Sequence, residues 1–160
     1  MFNLNKRNLF IAIFLISLIA LISAYFIEYI LGHQPCSLCL YERIPFFLAI
    51  FIILINYKYE KLEKFFILLM AIIFFIATIL SLYHLGIEQG FIQESLICDL
   101  EKGANTIDKD EILKQLQEKS VSCKDVTFKM FGLSLTSYNI LISVLITFSS
   151  GKIYFNYDKN

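Results

Sequence analysis

Cys36-Ser37-Leu38-Cys39 is the group in this chain whose residue types and spacing could do chemistry. Two thiols at this separation close a very small disulfide ring, which can be made and broken without large rearrangement. Placed just ahead of a helix, they feel the positive end of its dipole, which lowers a thiol pKa and favours the reactive thiolate. Haem attachment requires His directly after the second cysteine, and Leu40 stands there instead. Structural zinc wants a second paired knuckle or His partners. The other cysteines, Cys98 and Cys123, lie far apart and supply none, so no metal is expected. Two inert disulfides are the competing reading of an even cysteine count.

Three neighbours bear on that chemistry. Arg43 follows Cys39 by four residues, so a helix starting at Cys39 would bring the guanidinium to the same face. A fixed positive charge there stabilises a thiolate or a reduced, anionic acceptor. The alternative for Arg43 is an interfacial side chain that snorkels to water, and the adjacent Glu42 could neutralise it. His84 reads equally as the polar end of a helix or as a hydrogen-bond donor to a ligand. Tyr41 and Tyr83 read as interfacial aromatics.

The elements that position these residues are apolar to an unusual degree. The chain has 160 residues, 58% hydrophobic and 18% charged, with a mean hydropathy of +0.67. Soluble domains are less apolar and more charged, and disorder needs the opposite balance. Fourteen basic residues against fourteen acidic give no net charge, which argues against nucleic acid as a partner. The apolar residues fall in runs at 9–27, 44–55, 65–82 and 133–148. The first, free of charge, is long enough for a hydrocarbon core of about 30 Å. It is too long for the apolar part of a secretory signal, about 7–15 residues. The expected fold is an all-α integral membrane protein, one domain over 1–160. Its four-helix transmembrane bundle has helices near 8–31, 41–57, 65–86 and 133–150. Two external loops, 32–40 and 87–132, connect them. Asp108 and Glu111 mark a capped helix start in the second loop, with Ile112, Leu113 and Leu116 on one side, so a short surface helix is expected there.

Orientation follows from charge. Lys6-Arg7, the turn with Lys58, Lys61 and Lys64, and the tail with Lys152 and Lys159 share one side, whereas the first loop and the helix start that follows it carry Arg43 as their sole basic residue. Basic residues near span ends favour the cytoplasm, so both termini read as cytoplasmic. All four cysteines then fall on the external side, where disulfides persist. A membrane dithiol must pass its electrons on. With no haem motif, iron–sulfur cysteine set or dinucleotide fingerprint, a lipid-soluble quinone arriving laterally from the bilayer is the acceptor left.

Pro35-Cys36-Ser37-Leu38-Cys39-Leu40-Tyr41-Glu42-Arg43 resembles the C-x-x-C-x-x-E-R signature of the DsbB family of bacterial inner-membrane disulfide-bond formation proteins. Tyr83-His84-Leu85-Gly86-Ile87-Glu88-Gln89-Gly90 is similar to the end of that family's third helix. Cys123, Phe131-Gly132-Leu133-Ser134-Leu135 and Tyr138-Asn139 are similar to the approach to its fourth. The chain departs from the family in having no Trp, with Tyr138 where many members carry one. The resemblance implies a thiol:quinone oxidoreductase that reoxidises a periplasmic thioredoxin-like (DsbA-like) dithiol oxidase. It also implies that electrons pass to the membrane pool of ubiquinone or menaquinone. By position it implies that Cys98 is attacked by the partner thiolate, that Cys123 is released and attacks Cys36, and that Cys39 lies beside the quinone. Arg43, Glu42 and His84 match the family's quinone-side residues. A vitamin K epoxide reductase-like protein and a non-catalytic subunit with two static disulfides are the alternatives.

Overall fold

The computed structural model describes residues 6–58, 62–93, 123, 129–130 and 132–157. Cys98 and the expected surface helix near 108–116 lie outside the described residues. Helices α1 (Lys6–Tyr29), α2 (Ser37–Tyr41), α3 (Ile44–Lys58), α4 (Glu63–Glu88) and α5 (Leu135–Phe155) carry the fold. A two-residue hairpin, β1 (Lys129–Met130) and β2 (Leu133–Ser134), leads into α5. Gly132 turns the hairpin at φ 82°, a conformation that glycine adopts without steric cost. Ser134 then caps α5 by accepting a hydrogen bond from the Ser137 backbone N–H.

Among the described residues, four stretches are long and apolar enough to cross a membrane: Arg7–Tyr29, Ser37–Lys58, Glu63–Glu88 and Leu135–Phe155. α1 packs on α3 and α5, and α4 packs on the same two, most extensively on α5, so the helices close a ring. Ile67, Met70 and Phe74 of α4 are fully buried at its centre, with Phe46 edge-on to Phe74. Ala49, Ala77, Ser17, Ser81 and Ser143 are buried too. Such small side chains let helices approach closely where lipid removes the usual hydrophobic drive between them. The outward faces are apolar: Ile19 is 62% exposed, Phe51 62% and Phe148 72%. Side chains of this kind covering the whole perimeter are a surface for hydrocarbon. The protein is a helical membrane bundle of four spans.

The second span is not one continuous helix. α2 ends at Tyr41, Glu42 and Arg43 form a turn, and α3 begins at Ile44. Pro45 explains the break. Its ring would clash with the carbonyl four residues back, on Tyr41, and it offers no N–H to that carbonyl. The break holds the site residues at the mouth of the bundle.

Candidate active site

Cys36 is the N-cap of α2, and its Sγ accepts the Cys39 backbone N–H at 3.3 Å. The two Sγ atoms are 2.7 Å apart, and both cysteines are free thiols. A shift of under ~1 Å would bring them to the ~2.05 Å of a disulfide. The thiol of Cys36 is pushed down to about 5 from its ordinary 9.0. Donation from Cys39 is the main cause; His84 and the Cys39 backbone add to it, against the opposing effect of burial.

The two sulfurs face different surroundings. Cys36 packs with Leu38, Ile87 and Cys123 in a small buried cluster. Cys123 is 2% exposed and disulfide-bonded. Cys39 lines a cavity of about 540 Å³ between α1, the α2–α3 turn and α5. The cavity's polar end holds Cys39, Glu42, Arg43, Thr136, Tyr138 and Asn139, and its long walls are apolar side chains of α1 and α5.

Glu42 and Arg43 are neighbours in sequence but point to different helices. Arg43 Nη1 donates to Glu28 Oε2 of α1 at 2.5 Å, with the guanidinium 5.1 Å from the centre of the Tyr25 ring. Glu42 turns inward. Its Oε1 accepts from His84 Nδ1 at 2.9 Å, and its Oε2 accepts from Asn139 Nδ2 at 2.9 Å. Asn139 also donates to Ser81 Oγ at 3.0 Å. His84 is 1% exposed and does not line the cavity. Its Nε2 lies 3.5 Å from Cys36 Sγ, and its Nδ1 is also 3.3 Å from Thr136 Oγ1. The Thr136 hydroxyl donates to Glu88 Oε1 at 2.6 Å.

Of the residues singled out from sequence, Cys36, Cys39, Glu42, Arg43 and His84 converge here, and Cys123 joins through Cys36. Arg43 is balanced by Glu28 rather than by Glu42, and His84 meets Cys36 rather than the cavity. Glu28, Tyr25, Ser81, Thr136 and Asn139 were not foreseen. A polar residue inside an apolar helical run was the available signal for Ser81, Thr136 and Asn139. The donor atoms of Cys36, Cys39 and His84 lie within 4.8 Å of one another, a soft set able to hold a thiophilic cation.

Two reduced, adjacent thiols at the mouth of a membrane bundle, one facing an apolar cavity and one facing a bonded cysteine, belong to the membrane oxidoreductases that work through cysteine pairs. The DsbB family, described as disulfide bond formation protein DsbB, matches residues 6–151, and the chain belongs to that family. The chain is similar to Uncharacterized protein RP370 of Rickettsia prowazekii (strain Madrid E). Identity is 35% over 146 residues, covering 88% of this chain and 83% of that relative. Family membership makes this a membrane protein of disulfide bond formation.

Proposed function

We propose that this protein is a thiol:quinone oxidoreductase that reoxidises a DsbA-like dithiol oxidase outside the bacterial inner membrane, with both of its own termini in the cytoplasm. One observation carries the reading: Cys39 opens on the cavity while Cys36, 2.7 Å away, packs against Cys123. This arrangement supports exchange of one sulfur with the external cysteine and of the other with a ligand from the lipid.

The cavity suits a quinone. It has a polar end for a ring with two carbonyls and apolar walls along α1 and α5 for an isoprenoid tail. When bound, a ubiquinone or menaquinone would accept the two electrons and two protons that a dithiol gives up on forming a disulfide. Cys39, Glu42 and Arg43 would surround its ring. Arg43 stays protonated in low-dielectric surroundings, where an uncompensated anion is costly, and so supplies positive charge throughout the cycle.

Family membership carries over the external roles of Cys98 and Cys123 by position. In the forward direction the partner's thiolate attacks Cys98 and releases Cys123. The Cys123 thiolate then attacks Cys36 of an oxidised Cys36–Cys39 pair, and Cys39 leaves as a thiolate. Each exchange conserves one disulfide and moves two electrons inward. The test is steady-state oxidation of a reduced thioredoxin-like dithiol protein by purified protein in lipid, with ubiquinone or menaquinone varied. Catalytic thiol loss that needs both the quinone and Cys39 is expected. Absence of turnover with either quinone overturns the reading.

A further inference from the structure

A disulfide pair needs only its two sulfurs, yet the reduced pair here meets a third donor. His84 Nε2 lies 3.5 Å from Cys36 Sγ, and the ligating atoms of Cys36, Cys39 and His84 all fall within 4.8 Å of one another. The other ring nitrogen is engaged, because Nδ1 donates to Glu42 Oε1 at 2.9 Å. That bond leaves Nε2 as the nitrogen whose lone pair faces the sulfurs. A carboxylate behind an imidazole in this way is what orients histidine ligands in metal sites. Asn139 fixes Glu42 in turn, donating from Nδ2 to its Oε2 at 2.9 Å.

A second observation is independent of the thiols. Glu88 lies one turn along α4 from His84, with its Oε1 3.8 Å from Nε2 and its side chain only 7% exposed. Oε1 accepts from Thr136, but Oε2 is buried with no hydrogen-bond partner among the described residues. A buried carboxylate oxygen without a partner is costly, and a cation satisfies it.

We propose that the reduced Cys36–Cys39 pair, His84 and Glu88 form a binding site for a thiophilic divalent cation, Zn²⁺, which exists only while the pair is reduced. The sequence offers no second knuckle beside Cys36; the fold supplies the missing ligands from α4. Two sulfurs, one nitrogen and one oxygen suit zinc, which takes thiolate, imidazole and carboxylate in tetrahedral geometry. With Zn–S of about 2.3 Å and Zn–N of about 2.0–2.1 Å, that geometry sets sulfur and nitrogen about 3.6 Å apart and the sulfurs about 3.8 Å apart. The Cys36–His84 separation already matches. The sulfurs, 2.7 Å apart, must open by about 1 Å. Cys39, a half-buried free thiol on the cavity wall, has the room to move.

The thiolate is the form that binds a metal. Cys36, with its thiol held down to about 5, supplies one thiolate at neutral pH, and Cys39 gives up its proton as the ion enters. No electron moves in this step. Oxidation to the Cys36–Cys39 disulfide removes both thiolates and with them the site. Conversely, a bound ion holds the sulfurs apart and keeps the pair reduced. This arrest rests on the thiol:quinone reading above; the binding itself does not.

The test uses full-length protein carrying Cys98→Ser and Cys123→Ser, which leaves Cys36 and Cys39 as its only thiols, in detergent without quinone. Co²⁺, a coloured stand-in for Zn²⁺, is titrated into reduced and oxidised samples and then displaced by Zn²⁺. The reduced protein should take one ion per chain, with thiolate-to-cobalt charge transfer and the strong visible bands of a tetrahedral site. The oxidised protein should take none. His84→Gln and Glu88→Gln should each weaken Zn²⁺ binding by roughly tenfold or more and shift the visible bands. Unchanged affinity and bands in either variant would overturn the ligand set. Absence of a one-to-one complex in the reduced parent, or equal binding when oxidised, would overturn the site without recourse to any ligand variant. In a second arm, ubiquinone or menaquinone is added to the reduced parent with and without one equivalent of Zn²⁺. The loaded pair should resist oxidation until a chelator is added, and oxidation at the metal-free rate would overturn the arrest. Failure of the metal-free pair to be oxidised by either quinone would instead overturn the thiol:quinone reading, and the cobalt titration would still decide the site.

Discussion

Arg43→Gln separates the two partners of one guanidinium. In the structure Arg43 holds Glu28 of α1 on one side and lines the cavity on the other. Its side chain is 12% exposed and that of Glu28 21%, so solvent screens the pair only weakly. A hydrogen bond to a charged group is worth about 1.5–3 kcal/mol. Removing it from the quinone side should therefore raise the apparent quinone KM roughly ten- to hundredfold. The same substitution leaves the Glu28 carboxylate without its partner, at a cost of about 1–3 kcal/mol in stability. Glu28→Gln alone should keep quinone KM within about threefold, because an amide can still accept from Arg43. The double variant should recover much of the lost stability and none of the lost quinone affinity. The assay is steady-state turnover with varied quinone at saturating reduced partner, paired with a thermal melt of the same preparation. Unchanged quinone kinetics in Arg43→Gln would refute the electrostatic role and leave Arg43 as an interfacial anchor for α1. Recovery of quinone KM in the double variant would refute the claim that the guanidinium itself acts on the ligand.

Cys39→Ser should abolish electron delivery to quinone while one equivalent of partner is still oxidised. Cys98→Ser should lose steady-state turnover, and retention of turnover with a protein dithiol would refute the relay of thiols. Reporter fusions after Tyr57 should read cytoplasm and fusions near Asn105 should read outside; the reverse pattern would refute the orientation. Met70 is fully buried, so Met70→Ala should cost roughly 2–5 kcal/mol in a denaturation assay. Leu82→Ala, at a lipid-facing position 52% exposed, should cost far less, and equal losses would refute the assigned helix faces.

The spans were legible because charge-free apolar runs of that length have few other solutions. The break inside the second span was less so. Pro45 was visible and compatible with a first helical turn, but its clash with Tyr41 matters only when α2 lies directly ahead of it. The pairing of the charges was hidden for a simpler reason. Residues adjacent on a helix-like turn point about 100° apart. Glu42 and Arg43 therefore face different neighbours, and proximity in sequence misleads. Glu28 carried the signal of a charge ending an apolar run but nothing to say which cation it would meet. The convergence of Cys36 with His84 crosses 48 positions, and only the packing of α4 against the α2 region brings them together.

The cavity has a consequence for how the protein experiences concentration. Ile19 and Leu145 line it and are also 62% and 65% exposed on the outer surface of the bundle. Its side wall is thus open to the acyl chains between α1 and α5. A ligand reaching Cys39 by that route never passes through water, and its chemical potential is set by its mole fraction among lipids. Adding inert lipid or detergent at fixed total quinone would dilute it in two dimensions and slow the reaction, while adding water would not.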